Sequence, residues 1–191
     1  MSIRNGQFAA AREQATFLNN SVNDRFARWF SGYVYAVDEQ YDRALSLILS
    51  YEPAYADRNQ WARLLEQEKQ DACVAGWILM KAQDEQLGRD LLAQSIKYLE
   101  ETLPQYVAHA DRYDSAICHA ALGNIEATLD SLEQQVAHNH IGDWWRIRSW
   151  PPMRQILDHP RFIALDHMVN EELARQREVI ESLAADRSAG I

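Results

Sequence analysis

The chain has 191 residues, a length that suits one domain or two small ones. Its 47% hydrophobic content excludes disorder over most of the chain, and its seven glycines and five prolines are too few for the turns of an all-β protein. A formal net charge of −9 argues against a nucleic-acid-binding surface, which needs clustered lysines and arginines.

The N-terminal half shows the apolar spacing of amphipathic helices from one turn signal to the next. The turn signals are Asn19-Asn20-Ser21, which also offers a helix cap, and Pro53, which ends a helix. Around them we expect helices over about 7–18, 22–37, 41–50, 59–82 and 86–102.

The C-terminal half continues the helical pattern with one irregular stretch. Gly123-Asn124 predicts a tight turn between helices over about 105–122 and 125–137. The stretch 139–152 is expected to be a loop, and a last amphipathic helix should cover about 161–183. No apolar run approaches the roughly 20 residues of a membrane-spanning helix, so no membrane span is expected.

A twelve-residue step between small residues occurs three times along the chain. The step joins Gly32 to Ala44, Gly76 to Gly88, and Ala116 to Thr128. A large apolar residue follows the second site of each step by four positions, at Ile48, Leu92 and Leu132. Helical pairs repeated in this way indicate a stack of similar units.

These steps, together with the turn at Gly123-Asn124-Ile125, resemble the tetratricopeptide repeat. The resemblance implies an all-α fold, a right-handed α-solenoid of helical hairpins in which small residues let paired helices approach closely. It divides 1–138 into a half repeat at about 6–18 and units near 22–51, 60–102 and 105–137. Residues 139–191 would then form a loop, a C-terminal capping helix and a frayed tail. The spacing between units exceeds the family period of about 34 residues, which predicts longer helices.

The C-terminal stretch resembles the ending of tetratricopeptide arrays in bacterial regulators and signalling proteins. The residues that carry this likeness are Trp150-Pro151-Pro152-Met153 and Asp158-His159-Pro160-Arg161-Phe162. The resemblance implies a non-catalytic module for protein interaction or sensing, with a protein or peptide partner. The alternative is a self-associating scaffold, a homodimer in which the partial N-terminal repeat pairs with its copy.

In that family the first helix of each pair lines a concave groove that binds the partner. Carried over residue by residue, the resemblance implies a groove of Phe26, Trp29, Tyr33, Val37, Trp77, Met80, Lys81, Tyr113 and Ile117. An aromatic stripe at helical spacing is also typical of a buried core, and this alternative stays open. Trp144, Trp145 and Trp150 are expected to form a hydrophobic plug at the end of the array, with a surface ligand clamp beside Arg146 and Arg148 as the alternative.

No pattern in the chain predicts catalysis or a cofactor. Cys73 and Cys118 match no metal or redox spacing, so we expect two structural thiols, with a disulfide between them as the alternative. His138 and His140, with Asp143, are more typical of residues at a helix end than of a metal site. A metal-dependent enzyme therefore remains only a remote alternative.

Overall fold

The computed structural model describes residues 10, 11, 13, 14, 16, 25–102, 115–142 and 144–189. Its helices are α1 Arg25–Val37, α2 Tyr41–Tyr51, α3 Trp61–Ala82, α4 Glu85–Lys97, α5 115–122, α6 Ile125–Ala137, α7 Trp144–Ser149 and α8 Pro160–Ala189. Shorter 3-10 turns cover Pro53–Ala56, Arg58–Gln60 and Pro151–Ile156, and a π-helical turn covers Tyr98–Thr102. The described residues contain no strand, which confirms the all-α class. Across these ranges no helix combines bilayer-spanning length with a sufficiently apolar composition.

Very short turns join three pairs of helices, which are α1 with α2, α3 with α4, and α5 with α6. The turn from α1 to α2 closes where the Gln40 N–H donates to the Tyr35 carbonyl at 2.9 Å. The turn from α5 to α6 closes in the same way, from Asn124 N–H to the His119 carbonyl. Gly123 permits this second turn because its φ of 81° lies in the left-handed region that favours glycine. The two helices of each such pair are therefore held side by side as a hairpin.

Glycines let the paired helices of the first two hairpins approach closely. A Cβ atom at Gly32 would lie 2.9 Å from the Ile48 side chain and 3.3 Å from the Ala44 carbonyl oxygen. A Cβ atom at Gly88 would lie 2.5 Å from the Gly76 carbonyl oxygen, closer than real Cβ atoms come. The small residues expected to face each other in these two hairpins therefore do so.

A disulfide joins Cys73 of α3 to Cys118 of α5. Both residues are completely buried, and their Cα atoms lie 4.9 Å apart, within the range that a disulfide requires. The expectation of two free thiols was therefore wrong. Because the cysteines are 45 residues apart in sequence, only the packing of the two hairpins reveals that they are neighbours.

The stretch 139–152, expected to be a loop, instead contains α7 and the start of a 3-10 turn. This stretch is held in place by buried apolar side chains, which are Ile141, Trp144, Ile147, Trp150 and Pro152. The last helix begins at Pro160, where a proline at the first helical position loses no hydrogen bond. This helix continues to Ala189, past the expected end near Leu183.

Arg161 joins α8 to α6 through three carboxylates. Its guanidinium nitrogens lie 2.6–2.8 Å from carboxylate oxygens of Glu126, Asp130 and Glu133. These acids recur along one face of α6 at spacings of four and three residues, so a single planar cation reaches all of them. Beneath this network the ring of Phe162 stacks on Trp144, with centroids 5.8 Å apart.

Candidate binding site

Trp150 lies between two of the predicted groove residues. Its ring stacks on that of Tyr33 in α1, with centroids 5.0 Å apart and planes at 8° to each other. The centroid of the Trp77 ring in α3 lies 4.6 Å from that of Trp150. The Tyr33 hydroxyl also makes a 3.2 Å hydrogen bond with the Ser149 hydroxyl. The three rings are at most 3% exposed. A segment of the same chain thus covers the aromatic face that sequence analysis assigned to a partner.

Two further rings extend this cluster to either side. Trp29 stacks on Tyr33 at 5.9 Å, and Tyr41 meets the ring of Trp77 edge-on at 5.1 Å. Both outer rings are only partly buried, unlike the central three. We call these five residues, Trp29, Tyr33, Tyr41, Trp77 and Trp150, the aromatic row.

The remaining predicted groove residues divide by their burial. Val37 and Ile117 are 3% and 1% exposed and belong to the core, whereas Met80 is partly buried and Lys81 is exposed. The side chain of Phe26 and the whole of Tyr113 lie outside the described residues. The assignment of these positions to a partner stays a prediction.

An open cleft of about 470 Å³ lies at the Tyr41 end of the aromatic row. One wall consists of Tyr41, Trp77 and Met80, and residues 120–123 contribute another. The third wall consists of four residues of the last 3-10 turn, which are Pro151, Pro152, Arg154 and Gln155. Sequence analysis identified Trp77, Met80 and Lys81 but missed the third wall, whose only signal was the expectation of an apolar plug at this end.

Hydrogen bonds from a single side chain hold two walls of the cleft together. The amide nitrogen of Gln155 donates to the Ala120 carbonyl at 2.6 Å and to the Pro152 carbonyl at 2.9 Å. The first bond joins α5 to the 3-10 turn, and the second lies within that turn. The cleft is therefore preformed, and a ligand would not have to order these walls on binding.

Cationic side chains line the cleft although the whole chain is acidic. Arg154 makes an ion pair with Glu39 at 2.6 Å, and Arg89 pairs with Glu85 at 3.0 Å. Among the described residues no carboxylate pairs with Lys81, which also lines the cleft. Burial is the main cause that raises the pKa of Tyr41 above its usual value. At neutral pH the cleft therefore presents a neutral phenol beside positive charge.

A partly buried polar cluster lies elsewhere, where the π-helical turn meets α5. One carboxylate oxygen of Glu100 accepts hydrogen bonds from the Ser115 hydroxyl at 2.5 Å and from Nε2 of His119 at 2.9 Å. In a nucleophilic triad the imidazole lies between the hydroxyl and the carboxylate. Here the carboxylate occupies the middle position, so the histidine does not activate the serine. This arrangement fits a structural link.

The histidines after α6 are arranged as helix-end residues. The Nδ1 atom of His138 lies 2.7 Å from the Gln134 carbonyl oxygen in the last turn of α6. Asp143, the expected third member of a metal cluster, lies outside the described residues. In the part of the chain that is described, no three His, Cys, Asp or Glu residues come together as a metal site would require.

Comparison of the chain with protein-family models, with curated proteins and with solved structures finds no match. Function must therefore be inferred from the fold, the aromatic row and the cleft.

Proposed function

We propose that this chain is a non-catalytic protein-interaction module, built as a right-handed α-solenoid of tetratricopeptide-like hairpins within a bacterial regulatory protein. The short turns between helices and the close contacts at Gly32 and Gly88 support the repeat architecture. The resemblance of the C-terminal stretch supports the regulatory role. A protein of this kind binds a partner through a complementary surface and a few side chains, and it catalyses no reaction on that partner.

The cleft is the observation that carries this proposal. It combines apolar and aromatic walls with a small number of polar groups, which is the composition of sites that bind peptides and small ligands. Trp150 already covers Tyr33, so the partner binds beside the aromatic row rather than along all of it. Met80 and Lys81 are the predicted groove residues that remain accessible at this position.

The arrangement of polar groups supports binding over catalysis. The Ser115–Glu100–His119 cluster has the wrong order for nucleophile activation, and Gln155 uses its amide nitrogen to join two walls of the cleft. Among the described residues, those that line the cleft include no Asp, Glu, His, Ser or Cys that could serve as a general base or nucleophile. The proposed role is therefore to hold a partner or to sense one.

A charge reversal at the cleft tests the proposal. We expect the wild-type chain to retain a protein partner from lysate, and Lys81→Glu to reduce that retention at least tenfold. Arg63→Glu is the matched control, because Arg63 is also exposed on α3 but lies outside the cleft. Circular dichroism should show equal helicity for all three proteins. Equal retention by both variants, or no retention by the wild-type chain, would contradict the proposal.

A further inference from the structure

The described side chains that line the cleft carry three positive charges and no negative one. The positive residues are Lys81, Arg89 and Arg154. Arg154 pairs with Glu39 and Arg89 pairs with Glu85, and neither glutamate is among the described residues that line the cleft. With both glutamates counted, these five residues keep a charge of +1, although the whole chain carries −9. The sign of the charge in the cleft is therefore opposite to that of the chain.

The cations of the cleft keep hydrogen-bond donors that nothing described uses. Arg154 bonds to its glutamate through Nη1 only, and Arg89 bonds to its own through Nε only. Their other guanidinium nitrogens have no partner among the described residues, and neither has the ammonium of Lys81. In this same chain the guanidinium of Arg161 holds three carboxylates at once. A further carboxylate can therefore bind in the cleft without displacing either glutamate.

Glu39 occupies a position in the turn after α1 that favours glycine. Its φ of 62° lies in the left-handed region, and the turn is closed from Glu39 N–H to the Ala36 carbonyl and from Gln40 N–H to the Tyr35 carbonyl. The turn from α5 to α6 makes the same two bonds with Gly123 at this position. A glutamate is strained there, and strain of this kind often lies beside a binding site.

The side chain of Glu39 offers little stability in return for this strain. It is 52% exposed, and its ion pair with Arg154 is of the exposed kind that contributes little to folding. What the glutamate does change is the charge next to the cleft, because Arg154 lines it. The strained turn is therefore a second observation, separate from the lining residues, that connects this cleft with charge recognition.

Apolar and aromatic side chains lie beside the cations. Trp77, Met80 and Pro151 line the cleft, and the hydroxyl of Tyr41 stays protonated at neutral pH because burial raises its pKa. That hydroxyl can donate a hydrogen bond to an anion. A volume of about 470 Å³ suits a few residues of an extended segment rather than a folded domain. The walls therefore fit an apolar side chain that lies next to a charged one.

We propose that the cleft binds an extended peptide segment in which an acidic side chain neighbours an apolar one, with the carboxylate among Lys81, Arg89 and Arg154. This inference rests on the proposed function, because it names the chemistry of the partner that the cleft would hold. The net charge of the chain alone would favour a basic partner. Glu39 limits the affinity for the acidic segment, since its carboxylate repels the incoming one.

Selection from a library of random twelve-residue peptides displayed on phage tests the charge of the partner. We expect the wild-type chain to enrich Asp and Glu at least threefold over the unselected library, and Lys81→Met to weaken binding of the selected peptides at least tenfold. Lys81 pairs with no described carboxylate, so this substitution breaks no described ion pair. Lys97→Met is the matched control, because Lys97 is exposed and is not among the residues that line the cleft, and it should change binding less than twofold.

The outcomes separate this inference from the proposed function. Selected peptides that are basic or neutral, and that Lys81→Met does not weaken, would overturn the inference and leave a binding module standing. A library that yields no binding peptide would also overturn the inference, and the lysate retention described above would then decide the proposed function by itself.

Glu39→Gln tests the sign of the charge effect on a single selected peptide. Fluorescence anisotropy should show at least threefold tighter binding to this variant, because the amide keeps the size of the side chain and removes its negative charge. Glu178→Gln removes the same charge from an exposed position on α8 and should change the affinity less than twofold. Unchanged or weaker binding by Glu39→Gln would overturn the inference. So would displacement of the peptide by free glutarate at an equal concentration, which would indicate a small dicarboxylate as the ligand.

Discussion

The carbonyl oxygen of Gly76 in α3 lies 2.5 Å from the position that a Cβ atom would occupy at Gly88 in α4. The backbone of Met80 also borders this position, so no flexible side chain can move aside. Gly88→Ala should therefore force the two helices apart and lower the free energy of unfolding by about 2–3 kcal/mol. Chemical denaturation measures this loss.

Gly142 is the control for that substitution. It is exposed, and a Cβ atom there would meet nothing within 4 Å. Gly142→Ala should change stability by less than about 0.5 kcal/mol. Similar effects of the two substitutions would show that α3 and α4 are not in close contact at Gly88.

Removing Trp150 should open the centre of the aromatic row. Trp150→Ala deletes a ring that contacts both Tyr33 and Trp77, so we expect a loss of about 3–5 kcal/mol. Trp150→Phe should cost clearly less, because it keeps a ring and removes a buried indole N–H that has no acceptor among the described groups. Thermal denaturation followed by circular dichroism measures both. Equal losses of stability in Trp150→Ala and Trp150→Phe would indicate that a ring at this position, stacked on Tyr33, contributes little to stability.

The buried disulfide should contribute strongly to stability. Closing a loop across 45 residues of separation corresponds to about 4 kcal/mol in the chain-entropy model. Because Cys73 and Cys118 are completely buried, a reductant should act only when the protein unfolds. Denaturation with and without reductant measures the difference, and thiol titration of the unfolded, unreduced chain should find no free thiol. Two titratable thiols in that sample would contradict the disulfide.

Acid should weaken the contact between α6 and α8. The hydrogen bond from Arg161 lowers the pKa of Glu133 below its usual value. A carboxylate with a lowered folded pKa stabilises the fold above its unfolded pKa of about 4.3. That contribution is lost as the pH falls through the lowered value. Arg161→Ala should therefore be less stable than the wild-type chain at neutral pH, and the gap should close in acid.

Arg175→Ala supplies the comparison for Arg161. Arg175 also lowers the pKa of a carboxyl, that of Glu172, but the two residues lie on the same helix. Its loss should destabilise the chain less, because no second helix is held. Urea titrations at several pH values measure both variants. A constant gap between wild-type and Arg161→Ala proteins across the acid range would argue against the ion-pair explanation.

Local spacing was enough to predict the helical pairs and their closest contacts. The steps from Gly32 to Ala44 and from Gly76 to Gly88 lie within single hairpins, where a short turn brings the two sites together. The tetratricopeptide resemblance placed Trp77, Met80 and Lys81 in a predicted groove, and all three line one cleft because helical spacing brings them near one another.

Contacts between distant parts of the chain could not be predicted in this way. The stacking of Trp150 on Tyr33 depends on how a late segment folds back onto α1, and no local spacing reports that path. Sequence spacing did not favour the Cys73–Cys118 disulfide for the same reason. The composition of 139–152 predicted a loop, because it carries a glycine and two prolines and lacks helical spacing. The structure has α7 there instead, since burial of Trp144 and Trp150 orders the segment and helical propensity does not.

The return of the late segment to the first hairpin affects how the molecule loses its structure. A linear row of helical pairs can melt one pair at a time from either end. Here Tyr33 bonds to Ser149 and Glu39 bonds to Arg154, across 116 and 115 positions of sequence. Unfolding of the first hairpin would expose the late segment to water, and unfolding of the late segment would expose the first hairpin. The described body should therefore unfold as one cooperative unit. A protease cut near Arg154 should then destabilise the whole described body, α1 and α2 included.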